Sequence, residues 1–215
     1  MKLDRSVMRL YAVTNRDSSD KEFLASQVLQ ALEGGVTCIQ LREKGLNYED
    51  FLTEAILIKE LCRSHNVPFI INDNIDIALA CGADGVHLGQ KDMNAKEARK
   101  LVGEKMILGV SAQTPQQALQ AEADGADYLG IGAVFSTSTK LDAKAVSFDT
   151  LKEITQSVSI PVVAIGGINK SNILRLKGSG ADGVAVVSAI FSSNDVKSAC
   201  EELYRLSGEM AGYED

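Results

Sequence analysis

Polar side chains follow short apolar segments at several points of the chain, and their types suit a phosphorylated, metal-bound substrate. The cationic residues Arg42 and Lys44 and the acidic residues Asp73 and Asp92 all come after such segments. Guanidinium and ammonium groups bind phosphate, while two carboxylates together with phosphate oxygens suit Mg²⁺. If the apolar segments are parallel strands of one barrel, their carboxyl ends converge on one rim. The sequence therefore predicts that these groups form a single site.

The second apolar segment predicts an anion site. Cys38, Gln40, Arg42 and Lys44 are spaced by two, so they face one side while the chain stays extended. This series changes from apolar to cationic as it approaches the rim. The alternative is a solvated strand end. We favour the anion site, because Gln40 and Arg42 would otherwise be polar groups facing a barrel interior.

The two aspartates predict a metal site. Asp73 follows the third predicted strand and Asp92 follows the fourth, so in a parallel barrel they are neighbours that can share one Mg²⁺ ion. The alternative is helix capping, by Asp73 or Asn74 for one helix and by Asp92 or Asn94 for the next. The spacing alone leaves both interpretations open.

Three further segments are suited to anions. The loops after strands seven and eight of such barrels bind phosphate through backbone amides, which glycine lets a ligand approach closely. The alternative role of the glycines is to form turns. The hydroxyl-rich loop with Lys140 is a weaker signal, because loops rich in serine and threonine are common. The segments are Ser136-Thr137-Ser138-Thr139-Lys140, Gly166-Gly167 and Val187-Ser188.

Apolar segments alternate with amphipathic ones along the whole chain. Most of the apolar segments are continuous, as expected for parallel strands covered on their outer face. The predicted strands are Arg9–Thr14, Cys38–Arg42, Phe69–Asn72, Gly85–Leu88, Ile107–Ser111, Tyr128–Val134, Val162–Ile165 and Gly183–Val187. The predicted helices are Glu22–Glu33, Tyr48–Ser64, Asn94–Val102, Pro115–Ala123, Phe148–Val158, Ser171–Lys177 and Asp195–Leu206. This α/β pattern predicts a single (β/α)8 TIM barrel over residues 1–215, with a doubly wound open sheet as the alternative.

A short repeat marks the opposite rim. Gly-Ala-Asp occurs at residues 82–84, 125–127 and 180–182, and Gly34-Gly35-Val36-Thr37 is a degenerate copy. Each copy closes a helix and precedes a strand, where glycine suits the positive φ of a helix C-terminus. We therefore interpret the repeated aspartates as structural rather than catalytic.

Composition excludes several classes of protein. The 215 residues carry a net charge of −7, which gives no overall attraction to nucleic acid or anionic membranes. The N-terminus has neither a signal peptide nor a membrane span, so we expect a cytoplasmic protein. The four cysteines form no Cys-x-x-Cys pair and are expected to be buried, reduced thiols. Of the two histidines, His65 is expected to be exposed and His87 to be a hydrogen-bonded interior residue rather than a base.

An ordered set of motifs resembles the thiamine-phosphate synthase family. The motifs extend from about Met8 to Phe191, and the ordered set is specific although no single motif is. They are Gln-Leu-Arg-Glu-Lys (40–44), Ile-Asn-Asp-Asn (71–74), Gly-Val-His-Leu-Gly-Gln-Lys-Asp-Met (85–93), Gly-Val-Ser-Ala (109–112), Thr-Ser-Thr-Lys (137–140) and Ala-Ile-Gly-Gly-Ile (164–168).

The resemblance implies a transferase that joins 4-amino-2-methyl-5-hydroxymethylpyrimidine diphosphate to hydroxyethylthiazole phosphate by a dissociative, Mg²⁺-assisted substitution. It implies catalytic roles for Arg42, Lys44 and Lys140 and Mg²⁺ binding by Asp73 and Asp92. The implied pyrimidine diphosphate ligands are Gln40, Arg42, Lys44, Asn72, Ser111 and Lys140. The implied thiazole phosphate ligands are Thr137, Thr139, Gly167, Val187 and Ser188. The sequence leaves the oligomeric state open.

Two other functions fit the same pattern less well. Thiazole tautomerases share the fold but place a histidine just before the sixth-strand loop, where this chain has Gly132-Ala133-Val134-Phe135. A non-catalytic barrel that binds thiamine intermediates would have no need for both a metal site and a leaving-group site. One departure from the synthase pattern is Ser136, where family members often have proline; the change removes no ligand.

Overall fold

Eight parallel strands close into a barrel in chain order, β1 to β8, with β8 paired to β1 through Ala185 and Tyr11. The computed structural model describes residues 3–15, 21–136 and 145–213. The strands are β1 Leu10–Val13, β2 Cys38–Leu41, β3 Phe69–Asn72, β4 Gly85–Leu88, β5 Ile107–Ala112, β6 Tyr128–Ile131, β7 Val162–Ile165 and β8 Gly183–Val186. The predicted (β/α)8 barrel is confirmed, and the doubly wound sheet is wrong because the sheet closes.

Helices surround the barrel. They are α1 Lys21–Glu33, α2 Tyr48–Ser64, α3 Ile75–Cys81, α4 Ala95–Val102, α5 Pro115–Ala123, α6 Phe148–Ser157, α7 Ser188–Phe191 and α8 Val196–Ala211. The sequence analysis missed α3 and α7, which have only seven and four residues, too few for a clear helical period. The helix predicted over Ser171–Lys177 is a short 3₁₀ helix over Ile173–Leu176, and a second 3₁₀ helix over Arg5–Met8 precedes β1.

Strand ends also differ from the predictions. The sixth strand ends at Ile131 rather than Val134, although Val134 N–H and Phe135 N–H still donate to β7 and the loop after it. The second strand ends at Leu41, and the next backbone N–H, that of Arg42, donates to the Thr14 side chain rather than to a strand carbonyl. These differences move loop boundaries by one to three residues, which is the usual uncertainty at element ends.

Two apolar layers hold the barrel together. A small interior cluster inside the strands contains Met8, Tyr11, Val13, Cys38, Ile70, Tyr128, Val163 and Ala185. A much larger layer fills the space between the sheet and the helices. Both faces of the strands are therefore buried, which explains why their sequences are continuous apolar segments rather than alternating ones.

Glycine makes room for the largest interior side chain. Gly109 of β5 lies beside Tyr128 of β6, and a Cβ at Gly109 would overlap the Tyr128 ring. On the other side of Tyr128, the ring of His87 approaches Gly130, where a Cβ would lie 3.1 Å from the imidazole. In the barrel interior, aromatic rings thus pack against glycine residues, which have no side chain to occupy the same space.

The Gly-Ala-Asp repeat secures the N-terminal rim, as the sequence analysis inferred. The glycines at its first positions have φ values of 63°, 94° and 82°. Each aspartate accepts a hydrogen bond from a backbone N–H at the start of a strand, and Thr37 of the degenerate copy does the same. The pairs are Asp84 with Phe69, Asp127 with Leu108, Asp182 with Val162, and Thr37 with Leu10, at 2.8–2.9 Å.

The expectation that the cysteines are buried thiols is confirmed. All four cysteines are free thiols and buried, and burial raises the pKa of Cys62 and of Cys200 to about 12. Within residues 3–15, 21–136 and 145–213, no helix is long and apolar enough to cross a membrane.

Asp127→Ala should destabilise the barrel by about 2–3 kcal/mol, because it leaves a strand N–H unpaired and removes the carboxylate that Arg99 contacts at 2.5 Å. Urea unfolding measures the loss. Asp124→Ala, which removes a partly exposed carboxylate three residues away, is the matched control and should change stability little. Equal losses in the two variants would contradict the role assigned to the repeat.

Candidate active site

The end of β2 presents a cation at the C-terminal rim. Thr14, fully buried, accepts from the Arg42 backbone N–H at 2.9 Å and donates its own N–H to the Gln40 carbonyl at 2.9 Å, which fixes the backbone where β2 ends. Within the parts of the chain that the structure describes, the Arg42 guanidinium has no hydrogen bond or ion pair. A half-buried cation of this kind is suited to bind an anionic ligand.

A pair of carboxylates lies at the same rim as this cation. Asp73 follows β3 and Asp92 follows β4, and their side chains come within hydrogen-bonding distance of each other. Lys44 Nζ contacts Asp73 Oδ2 at 2.6 Å, and Gly89 N–H donates to Asp92 Oδ2 at 2.7 Å. The predicted convergence of Lys44, Asp73 and Asp92 on one rim is therefore observed.

Capping is carried out by the neighbouring asparagines, not by the aspartates. Asn74 Oδ1 accepts from the Ile77 N–H at 3.0 Å at the start of α3, and Asn94 Oδ1 accepts from the Lys96 N–H at 2.9 Å at the start of α4. Helix capping is thus confirmed for Asn74 and Asn94, and it is wrong for Asp73 and Asp92. Both carboxylates remain available to a ligand.

The two carboxylates have opposite pKa shifts. Burial raises the pKa of Asp73, but hydrogen bonds with Lys44 and Asp92 outweigh burial, so its pKa lies below the usual value. Burial and the adjacent Asp73 carboxylate raise the pKa of Asp92 above its usual value. Two like charges in contact are unfavourable, and a divalent cation between them removes that cost.

The donor set fits Mg²⁺ rather than zinc. Among the described residues, no group of three or more His, Cys, Asp and Glu side chains could hold a metal ion. The candidate is therefore a pair of hard carboxylate oxygens with space left for water or phosphate. Mg²⁺ favours this environment, since it retains several waters and binds through one or two carboxylates plus substrate phosphates.

Asn72 and Ser111 both lie next to His87 of β4. Asn72 ends β3 and pairs in register with His87 of β4. Ser111 Oγ is 2.9 Å from His87 Nε2, and Gln90 Nε2 donates to the Ser111 carbonyl at 2.7 Å. The expectation that His87 is a hydrogen-bonded interior residue is confirmed, and its contact with Ser111 connects it to the rim.

The sequence analysis missed two interior tyrosines. Tyr11 Oη and Tyr128 Oη are 2.8 Å apart, Gln40 Nε2 donates to Tyr11 Oη at 2.8 Å, and Tyr128 Oη is 2.9 Å from His87 Nδ1. A polar chain thus crosses the barrel beneath the rim and ends at Ser111. A signal was present, because a tyrosine at an inward position of an apolar strand needs a buried partner for its hydroxyl.

The opposite side of the rim is rich in glycine. Gly166 and Gly167 have φ values of 105° and 65°, and Cβ atoms there would overlap Ala133 and the Ser136 carbonyl. Glycine is required because the loop after β6 packs directly onto the loop after β7. Asn172 Nδ2 donates to the Gly167 carbonyl at 2.8 Å, which anchors this turn.

The loops after β6 and β8 border the glycines. Val187 precedes the short helix α7, and its carbonyl accepts from the Ile190 and Phe191 N–H groups, which leaves the exposed Ser188 at the rim. The predicted ligands Thr137, Thr139 and Lys140 lie outside the described residues. The described chain reaches Ser136 beside Gly167 and resumes before Val146, whose N–H donates to Ala133.

Comparison with known proteins gives a consistent result. A family model described as thiamine monophosphate synthase matches residues 10–190. The thiamine-phosphate synthase of Ruminiclostridium cellulolyticum is 53% identical over 92% of this chain and 94% of its own length. That of Methanobrevibacter smithii is 50% identical, with the same shares covered.

A solved structure extends the likeness to three dimensions. Thiamine phosphate pyrophosphorylase from Pyrococcus furiosus superimposes with a TM-score of 0.88 at 40% identity, covering 96% of this chain and 98% of its own. A 3-hexulose-6-phosphate synthase, at 18% identity and a TM-score of 0.69, shares the fold alone.

Asp92→Asn should slightly stabilise the metal-free protein near neutral pH, by up to about 1 kcal/mol, because it removes one of two adjacent negative charges. The amide oxygen can still accept from the Gly89 N–H. Since the pKa of Asp92 is raised, the wild-type carboxyl becomes neutral as the pH falls through that pKa, and the advantage of the variant should then disappear.

Urea unfolding at neutral and acidic pH measures this difference. Asp73→Asn is the matched control. The pKa of Asp73 is lowered, so its carboxylate contributes stability that is present above the unfolded-state pKa and lost as the pH falls through the folded-state pKa. Its removal should therefore destabilise the protein near neutral pH. A gain for Asp92→Asn that persists in acid would show that charge repulsion is not its cause.

Proposed function

Because this chain belongs to the thiamine monophosphate synthase family, we propose that it joins 4-amino-2-methyl-5-hydroxymethylpyrimidine diphosphate to hydroxyethylthiazole phosphate, releasing thiamine phosphate and pyrophosphate. The observation that carries the proposal is the arrangement of Lys44 with the Asp73–Asp92 pair at the rim where β2 also ends in Arg42. This is the combination of cations and metal-binding oxygens that a departing pyrophosphate requires.

Arg42, Lys44 and Lys140 are the proposed contacts to the leaving group. The Arg42 guanidinium offers paired donors to two phosphate oxygens, and Lys44 would exchange part of its contact with Asp73 for phosphate when substrate binds. Positive charge at the pyrophosphate lowers the energy of the transition state more than that of the bound substrate, because negative charge accumulates there as the carbon–oxygen bond breaks.

Asp73 and Asp92 are the proposed Mg²⁺ ligands. The ion, when bound, would neutralise part of the charge on the diphosphate and thereby make pyrophosphate a better leaving group. The chain's own contribution is to hold the two carboxylates in contact: Gly89 N–H orients Asp92, and Lys44 orients Asp73.

The substrate rings would occupy different parts of the rim. Gln40, Asn72 and Ser111 line the side where the pyrimidine would bind, above the interior polar chain. The thiazole phosphate would bind at the opposite side, against the backbone amides of Gly167, Val187 and Ser188 and the hydroxyls of Thr137 and Thr139. Glycine and the first amides after β8 suit a phosphate in this fold.

The bond changes would occur in a dissociative order. The charged and hydrogen-bonding groups of the proposed site bind the pyrophosphate or the thiazole phosphate. None is assigned as a base or nucleophile that acts on the methylene carbon of the pyrimidine. The aminopyrimidine can support positive charge at its methylene, so pyrophosphate leaves before the thiazole nitrogen bonds. Catalysis then consists of positioning and electrostatic stabilisation.

A coupled assay tests the function: both substrates and Mg²⁺ are supplied, and thiamine phosphate and pyrophosphate are measured. Asp92→Ala should lower turnover by at least about a hundredfold, because it removes half of the proposed metal site. Lys140→Met should slow carbon–oxygen cleavage and change the KM for thiazole phosphate little. The exposed-helix variant Lys100→Met is the matched control and should retain full turnover.

Three outcomes would contradict the proposal. Isomerisation of a thiazole without consumption of pyrimidine diphosphate would indicate a tautomerase. Binding of both substrates without product would indicate a non-catalytic barrel. Full activity of Asp92→Ala, or of the wild type with excess chelator, would exclude the metal site.

A trifluoromethyl group in place of the pyrimidine methyl tests the dissociative order. The substituent withdraws electrons and destabilises a cation at the methylene, and each ~1.4 kcal/mol added to the barrier slows the step about tenfold. The single-turnover rate should fall by orders of magnitude while binding changes little, because the diphosphate contacts are unaltered. A rate that hardly responds would indicate a concerted displacement.

A further inference from the structure

Five interior side chains form one continuous hydrogen-bonded chain across the barrel. It runs from Gln40 through Tyr11, Tyr128 and His87 to Ser111, with donor–acceptor distances of 2.8–2.9 Å at every step. Its members come from β2, β1, β6, β4 and β5. The residues at its two ends, Gln40 and Ser111, are proposed above to bind the pyrimidine substrate.

Counting the available hydrogens indicates which atom donates in each hydrogen bond of this chain. The Gln40 amide nitrogen donates to Tyr11 Oη, so the single Tyr11 hydroxyl hydrogen is available for Tyr128 Oη. If Tyr11 donates to Tyr128, the Tyr128 hydrogen is left for His87 Nδ1, so pairing every hydroxyl hydrogen along these contacts leaves Nδ1 unprotonated. A neutral His87 then bears its proton on Nε2 and donates it to Ser111 Oγ, which leaves the Ser111 hydroxyl hydrogen for a ligand.

We propose that Tyr128 is a positioning residue that, by fixing the tautomer of His87, makes Ser111 a hydrogen-bond donor toward the pyrimidine substrate. The proposal rests on the proposed function, because it assumes a ligand with an acceptor atom at Ser111. A pyrimidine ring nitrogen is such an acceptor. At the other end, the Gln40 amide nitrogen is engaged with Tyr11, so its oxygen remains to accept from an amino group.

The surroundings keep water away from the hydrogen-bonded chain. Tyr11 and Tyr128 are 1% and 0% exposed, so water does not compete for their hydroxyls. Burial raises the pKa of both phenols well above the usual value, so both remain donors at physiological pH. The ring of Tyr128 is held against Gly109, and an unpaired hydroxyl in this interior would be costly.

Nitrogen NMR of the histidines tests the proposal without any substrate. The protein has two histidines, His65 and His87, so the spectrum of the variant His65→Gln assigns both sets of signals. At about pH 8, where imidazole is ordinarily neutral, His87 should be in the Nε2–H form with an unprotonated Nδ1. Tyr128→Phe should shift His87 toward a mixture of tautomers. An Nδ1–H form in the wild type, or no response to Tyr128→Phe, would overturn the proposal.

Two further variants keep this test decisive. Tyr11→Phe interrupts the chain one step earlier and should also change the His87 signals, so a result is available if Tyr128→Phe does not fold. Tyr213→Phe is the matched control: it removes a phenol hydroxyl that donates to the Asp182 carbonyl at 3.0 Å on the other rim. It should leave the His87 signals and the activity unchanged.

A double-mutant cycle connects the tautomer to catalysis. Tyr128→Phe should lower kcat/KM for the pyrimidine diphosphate roughly tenfold, the usual effect of losing one hydrogen bond to the substrate, with little change in the KM for the thiazole phosphate. In a Ser111→Ala background the same change should cost less than about twofold, because Tyr128 acts through Ser111. Equal losses in both backgrounds would show a merely structural role and overturn the proposal.

The two kinds of measurement separate the possible failures. If the wild type forms no thiamine phosphate, the proposed function fails, while the NMR result still decides whether Tyr128 sets the tautomer of His87. If the enzyme is active but the cycle is additive, the proposed function stands and the positioning role of Tyr128 fails.

Discussion

The pairing of β8 with β1 is the constraint on which the rest of the structure depends. It closes the sheet and brings the carboxyl ends of all eight strands to one rim. Closure also creates an interior that water cannot fill, so every polar group there needs a protein partner. The hydrogen bond between Tyr11 of β1 and Tyr128 of β6 spans that interior and exists only because the barrel is closed.

The structure separates groups that stabilise from groups that remain available for ligands. Asn74 and Asn94 cap the helices after β3 and β4, so the adjacent aspartates do not. The Thr14 hydroxyl accepts a hydrogen bond from the backbone N–H of Arg42, whose guanidinium remains at the rim. At the other rim, the Gly-Ala-Asp aspartates each bind a strand N–H. The two ends of the barrel thus use the same residue types for different purposes.

The candidate site is electrostatically unfavourable without a ligand. Burial and the adjacent Asp73 carboxylate raise the pKa of Asp92, and a half-buried guanidinium lies at the same rim. The repulsion at Asp92 costs stability, and the proposed metal-bound phosphate would neutralise both the carboxylates and the guanidinium. Active sites commonly combine perturbed carboxylates with cations in this way.

The order of secondary structure was predictable because strands buried on both faces must be apolar throughout. Phe69–Asn72, Gly85–Leu88 and Val162–Ile165 match the predicted strands at both ends. The seven-residue helix α3 was missed, since it covers only two turns and its apolar residues continue the pattern of the strand before it. Boundaries that depend on contacts with other strands, as at Arg42, could not be read from local sequence.

The sequence by itself determined the alternation of strands and helices, the polar residues that end each strand, and the structural role of the Gly-Ala-Asp repeat. These features depend on the local spacing of apolar residues and on the backbone freedom of glycine, both of which are properties of residues close together in sequence. Only the tertiary structure showed that Asn74 and Asn94, and not Asp73 and Asp92, cap the helices after β3 and β4. Only it joined Tyr11, Tyr128, His87 and Ser111 into one hydrogen-bonded chain. Those outcomes depend on which side chains meet across a closed barrel, between residues up to 117 positions apart.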